Sequence, residues 1–153
     1  MEPDWIPETA FATCLRNAPQ VCVDLVVAHD GGVLLARRRN EPAAGEWFWP
    51  GGRLRKGERF REAARRIASD ELGLAVTVDE QLGASEHFWD TTSVSGVESR
   101  HTVPVVYRIE PRADLDVTLD DQHDDWRLLR TRESGLHEYV QAYLDRWDLL
   151  EDA

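Results

Sequence analysis

Between Gly51 and Gly73 the chain sets out glycines, carboxylates and arginines at offsets that suit a divalent cation and a phosphorylated ligand. Gly51 and Gly52 let a backbone carbonyl approach a ligand with no Cβ in the way. Glu58 stands just ahead of a stretch with helical periodicity. On that helix Glu62, Arg66 and Asp70 are four apart and form one stripe, and Ile67 and Glu71 form the next. A hard cation such as Mg2+ takes oxygen ligands, few of them from protein, and fills its other positions with water and phosphate. A loop carbonyl, one or two helix carboxylates and a diphosphate meet that demand. Glu62 alone is adequately explained as a partner in surface ion pairs; the whole set is not. Further along, Gln122 and His123 precede Asp124 and Asp125. There an amide oxygen lies beside an imidazole, which titrates near neutral pH and suits general-base work.

These residues need elements to hold them. Phe60, Ala63, Ala64, Ile67, Ala68 and Leu72 recur at helical spacing and predict a helix over Arg59–Leu72, stopped by Gly73. Val21–Ala28 and Val33–Ala36, joined by His29-Asp30-Gly31-Gly32, predict a hairpin. Pro50-Gly51-Gly52 breaks the pattern after Trp47-Phe48-Trp49. Further strands are expected near 75–78, 82–89, 102–109 and 125–130. A short amphipathic helix over about 3–18 presents Trp5, Ile6, Phe11 and Leu15, and a C-terminal helix over about 132–148 follows a cap at Thr131. Strands with one central and one terminal helix predict an α/β sandwich with a mixed sheet.

Composition bounds the partners. The 153 residues predict one domain with a real core, and no apolar run approaches a membrane span. Cys14 and Cys22 read as reduced thiols of a cytoplasmic protein. The 29 acidic residues against 18 basic ones leave a formal net charge of −11, which argues against nucleic acid and anionic membrane as partners. Lys56 is the only lysine. An acid-rich, lysine-poor surface is expected where a protein stays soluble at high salt, and a thermal melt in rising KCl that shows no stabilisation counts against that expectation.

The segment Gly52-x5-Glu58-x7-Arg66-Ile67-Ala68-x-Asp70-Glu71-x-Gly73-Leu74 resembles the Nudix box, G-x5-E-x7-R-E-U-x-E-E-x-G-U. The resemblance implies a Nudix-type α/β/α sandwich with a mixed β-sheet over 1–153, with the box at about 52–74. One departure stands out: Ile67 replaces the glutamate that follows the arginine, a metal ligand at the diphosphate in most Nudix enzymes. Other stretches resemble GDP-mannose mannosyl hydrolases, a branch that also lacks that glutamate. They include Leu34-Leu35-Ala36-Arg37-Arg38, Trp47-Phe48-Trp49-Pro50-Gly51-Gly52-Arg53, His87-Phe88-Trp89-Asp90 and Gln122-His123-Asp124-Asp125-Trp126. Members of that branch cleave the sugar C–O bond with inversion, releasing GDP and free sugar.

This resemblance implies a nucleotide-sugar substrate, GDP-mannose or a related GDP-hexose. It implies Mg2+, with Mn2+ as an alternative, held by the Gly52 carbonyl, Glu71 and Gln122. His123 is the expected general base, oriented by Asp124 or Asp125. Arg38, Arg53 and Arg66 are expected to contact or organise the diphosphate, Arg38 supporting the leaving group. Asp24 and His87 match positions that address sugar hydroxyls, and Thr102 falls about where the branch carries a tyrosine. A homodimer is also implied. Two alternatives stay open: a Nudix pyrophosphohydrolase using Glu58 and Asp70, and a nucleotide-sensing module without turnover.

Overall fold

The computed structural model describes residues 6–150. Its elements run α1 (Glu8–Asn17), β1 (Gln20–His29), β2 (Gly32–Arg38), β3 (Trp47–Phe48), β4 (Gly51–Arg53), α2 (Phe60–Leu72), β5 (Val76–Ala84), β6 (His87–Trp89), β7 (Arg100–Pro111), β8 (His123–Leu129) and α3 (Glu138–Trp147). Strand β1 is the hub. It pairs in parallel with β7 from Gln20–Thr102 to Val27–Ile109, and antiparallel with β4 and with the start of β2. β7 also carries β5 and β6, and β2 carries β3 and β8, all antiparallel. The sheet is therefore mixed, as the sequence predicts.

Strand alternation divides the core in two. Val23, Leu25 and Val27 face α2 with Val105, Tyr107 and Ile109, where they meet Ala63, Ala64, Ile67, Ala68 and Leu72. Val26 and Val106 belong to the other layer, with Val33, Leu35 and the α3 residues Val140, Tyr143 and Leu144. Helices on both faces make the α/β/α sandwich. Fully burying a side chain such as Ile67 or Leu72 contributes about 1.5–3 kcal/mol. α2 ends at Gly73, whose φ of 66° is left-handed, while the N–H groups of Gly73 and Leu74 return to the carbonyls of Ser69 and Ala68. Its start is held by Glu62, which accepts the Arg59 N–H at 2.8 Å, so that residue is a cap as well as a surface charge.

Four boundaries differ from expectation. α1 starts at Glu8, leaving Ile6 and Pro7 outside the helix. The strands expected at 75–78 and 82–89 are one long β5 followed by the short β6. Polar Asp79-Glu80-Gln81 hides the continuity, and two register shifts against β7 absorb it. Gly51–Arg53 is a strand instead of a break, because only glycine fits there: a Cβ at Gly51 would collide with the Asp24 carboxylate and stand 3.0 Å from the Val23 carbonyl. α3 starts at Glu138 with His137 as its cap, Nδ1 accepting the Tyr139 N–H at 3.0 Å; the segment through Ser134-Gly135 does not join the helix. Residues 3–5 of the expected first helix, Trp5 included, lie outside the described residues. Cys14 is exposed and Cys22 buried, and both are free thiols. Among the described residues no helix is long and apolar enough to cross a membrane.

Candidate active site

A cleft of about 640 Å³ opens where β1, β2, β4 and α2 converge, and it takes in Asp24, Arg38, Gly52, Arg53, Glu71 and Gln122. At one end the Glu71 carboxylate accepts the Gly51 N–H at 3.3 Å. A Cβ on Gly52 would lie 3.4 Å from two Ile67 carbons and 3.5 Å from Glu71 Oε2, so a side chain there would crowd the carboxylate. Burial pushes the Glu71 carboxyl up to about 8, and the neighbouring Asp120 charge pushes the same way, against the Gly51 hydrogen bond. A carboxyl held this high is one that a cation would ionise.

Asp120, which the sequence reading did not single out, completes this end. Its Oδ1 lies 2.7 Å from His123 Nδ1 and accepts the Gln122 N–H at 3.2 Å; its own N–H reaches the Glu71 carbonyl at 3.2 Å. Ligand atoms of Glu71, Asp120 and His123 lie within 4.8 Å of one another. Oxygen donors on Glu71, Asp120 and Gly52, with an imidazole behind them, fit a divalent cation. Gln122 lines the cleft with an exposed side chain, and its carbonyl is taken by the Arg39 N–H.

His123 is 3 % exposed and stands behind Asp120, which lines the cleft where His123 does not. Asp124 and Asp125 do not orient it. β8 begins at His123, so Asp124 points to the opposite face and pairs with Arg37 at 2.7 Å, while Asp125 accepts the Trp126 N–H. A carboxylate three residues before a histidine is the signal that would have found Asp120.

Asp24, buried on β1, also borders Gly51; it accepts the Tyr143 hydroxyl at 2.8 Å, and that oxygen lies 3.3 Å from His87 Nε2. Burial pushes Asp24 up to about 7, with the Tyr143 hydrogen bond opposing it. Burial likewise pushes His87 down to about 4, keeping it neutral, and its ring stacks on Tyr139 at 4.0 Å. Tyr143 reads from sequence as apolar helix face; a buried hydroxyl in search of a partner was the available clue. Thr102 lines the cleft and accepts the Trp89 indole N–H at 3.3 Å. Trp49 is core, stacked on Tyr143.

The arginines have separate tasks. Arg38 lies partly buried, its Nε donating to the Pro42 carbonyl at 2.7 Å, and burial lowers its pKa against the pull of Glu71 and Asp24. Arg66 turns to the loop: it forks onto Glu58 at 2.7 and 3.0 Å and donates to the Arg53 carbonyl at 2.9 Å. This holds Glu58 well below the usual carboxylate range and fixes the strand that carries Gly52. Asp70 reaches Arg66 only at 4.0 Å and is largely exposed. Arg53 lies over the Phe11 ring, its guanidinium carbon 5.4 Å from the centroid.

Fold and cleft together define a Nudix hydrolase. The chain belongs to the NUDIX family, whose domain model matches residues 18–148. It is 43% identical over 143 residues to the low-salt glycan biosynthesis protein Agl8 of Haloferax volcanii, covering 94% of this chain and 91% of that one. It is 38% identical over 65 residues to an ADP-ribose pyrophosphatase of Methanocaldococcus jannaschii, covering 42% of this chain and 38% of that one. The fold is shared with a MutT NUDIX hydrolase from Burkholderia pseudomallei at a TM-score of 0.70 and 24% identity, over 86% of this chain and 99% of that one.

Proposed function

We propose that this Nudix hydrolase cleaves a nucleoside-diphosphate sugar at the anomeric carbon, releasing nucleoside diphosphate and free sugar, with GDP-mannose or a related GDP-hexose as the first substrate to test. The observation that carries the reading is Ile67. It is 1 % exposed and packed against Gly52, so the helix presents apolar surface where a further metal carboxylate would stand. That leaves one cation position, at Glu71, with the Gly52 carbonyl and Gln122 as further oxygen donors and the Asp120–His123 pair beside them. A divalent cation bound there, Mg2+ or Mn2+, supplies charge neutralisation of the diphosphate.

The chain's own residues supply the rest. Asp24 and His87 address sugar hydroxyls, with Tyr143 fixing Asp24. Arg38 and Arg53 offer fixed guanidinium forks to the departing diphosphate. The attacking water gives its proton to the Asp120–His123 pair, Asp120 facing the cleft and His123 holding it from behind. This places the expected base role of His123 partly on its neighbour. The glycan-related name of the Haloferax relative supports a sugar nucleotide as substrate. A cytoplasmic homodimer is part of the same reading.

Products decide it. Incubation of GDP-mannose in H2(18)O with Mg2+ is expected to give GDP and sugar carrying the label at C1; GMP with sugar 1-phosphate sinks the proposal. The second reading, cleavage between phosphates, draws on the ADP-ribose pyrophosphatase relative. The bidentate tie of Glu58 to Arg66 weighs against it, since both Glu58 oxygens are engaged away from a metal.

A further inference from the structure

Arg100 opens β7 and lines the same cleft as Arg53, yet it has no part in the proposed hydrolysis. Strand alternation puts Arg100, Thr102 and Pro104 on the cleft side of β7, next to Cys22 on β1. Arg53 stands opposite Cys22 on β4, and Arg100 lies two residues before Thr102, the partner of Gln20, so the two arginines approach the start of β1 from either side. Both reach one aromatic ring: their guanidinium carbons lie 5.4 and 5.6 Å from the Phe11 centroid. Arg100 Nε is buried with no hydrogen-bond partner. Among the described residues neither guanidinium makes an ion pair, although the chain has 29 acidic residues against 18 basic ones. Cys22 offers no counter-charge, since burial pushes its thiol up to about 12. An enclosed guanidinium without a carboxylate is costly, and the cost is relieved when a bound anion supplies the missing acceptors.

We propose that Arg100 is a substrate-binding residue which, with Arg53, grips non-bridging oxygens of the substrate's diphosphate, and that Phe11 of α1 sets the two guanidiniums by cation–π contact. The two guanidiniums, both set against the Phe11 ring, form a two-armed clamp for the diphosphate beside the cation position. The aromatic ring holds both cations without neutralising them, which a carboxylate in its place would do. The first helix thereby becomes part of the site. This inference rests on the reading of the cleft as a diphosphate site.

The test is calorimetric titration of inorganic pyrophosphate and of GDP, in MgCl2, into wild type, Arg100→Met and Arg100→Lys. Loss of a charge-assisted fork predicts about tenfold or greater weakening for Arg100→Met with both ligands, with a ligand-free melting temperature equal to or above that of wild type. Arg100→Lys, which keeps the charge and loses the fork, is expected to fall between, and it serves alone if the methionine variant does not fold. Phe11→Leu is expected to weaken both ligands about threefold through looser guanidiniums. Wild-type affinity in Arg100→Met, or in Arg100→Lys where that variant stands alone, overturns the proposal. Failures separate cleanly: GMP and sugar 1-phosphate as products, with Arg100→Met still weak, sink the choice of bond and leave Arg100 in place. GDP and free sugar with Arg100→Met binding normally removes Arg100 alone.

Discussion

The two ends of the cleft, whose carboxylates Glu71 and Asp24 both border Gly51, are built from similar parts and tuned differently. Each has a buried carboxylate and a histidine: Glu71 with Asp120 and His123 at one end, Asp24 with Tyr143 and His87 at the other. Burial raises both carboxyls. At Glu71 a second carboxylate adds to the effect, so the site holds a proton that a divalent cation would displace. At Asp24 the partner is a hydroxyl donor, so the group is satisfied without a cation and can exchange hydrogen bonds with another hydroxyl. On the proposed reading, one end takes charge and the other a hydrogen-bonding pattern.

The sharpest break of that comparison is to remove one charge from each end. Glu71→Gln is expected to lower kcat by roughly a thousandfold, with loss of cation binding by calorimetry, because it strips the helix carboxylate that lies against Gly52. Asp24→Asn keeps cation binding and is expected to lower kcat/KM for the sugar nucleotide by about ten- to a hundredfold, leaving nucleoside diphosphate affinity intact. Equal loss of cation binding in both variants would erase the distinction between the ends.

Next in size comes the Asp120–His123 pair. Asp120→Asn is expected to cost about 100- to 10,000-fold in kcat as the cleft-facing half of the base. His123→Gln, removing the support behind it, is expected to cost about 10- to 100-fold. Single-turnover kinetics with saturating metal check the order; a reversed order returns the base role to His123 itself. At the opposite end Tyr143→Phe deletes one hydrogen bond to Asp24 and is expected to cost about 1.5–3 kcal/mol where that carboxylate is ionised. The expected signature is a raised KM at pH 8 with a smaller change at pH 6.

Most of the frame was legible in the sequence, because periodicity and glycine chemistry are local. The helix from Phe60 to its left-handed stop at Gly73, the β1–β2 hairpin and the mixed sheet follow from spacing alone. The long β5 was not legible, since Asp79-Glu80-Gln81 on a bulged strand reads as loop. In the site, residues within one segment were found together: Gly52, Glu58, Arg66 and Glu71. Partners brought from afar were not. Tyr143 meets Asp24 across 119 positions, and Arg100 meets Phe11 only after β7 is laid beside β1. Asp120 was missed although it is close in sequence, because its acidic neighbours Asp121, Asp124 and Asp125 look alike until strand direction separates them.

The smallest effect concerns stability against pH in the absence of metal, and its sign follows from which state holds the proton. Asp24, raised to about 7 from 3.8, and Glu71, raised to about 8 from 4.5, keep protons in the folded protein that the unfolded chain has already lost. Stability from these groups is therefore full below their unfolded values and declines as pH rises through the folded ones. His87 runs the other way: lowered to about 4 from 6.5, it makes stability rise with pH across that interval. The opposed contributions overlap below pH 6.5, so the clean window is from about 6.5 to 8, where only the carboxyls act. Melting temperature is expected to fall by a few degrees across that window in EDTA. Asp24→Asn should remove Asp24's share of the fall, which ends near pH 7, and added divalent cation the Glu71 share, which persists to about 8, since ionised Glu71 is then paired. If cation abolishes the Asp24 part as well, the two ends are one electrostatic unit and the division of labour drawn between them does not hold.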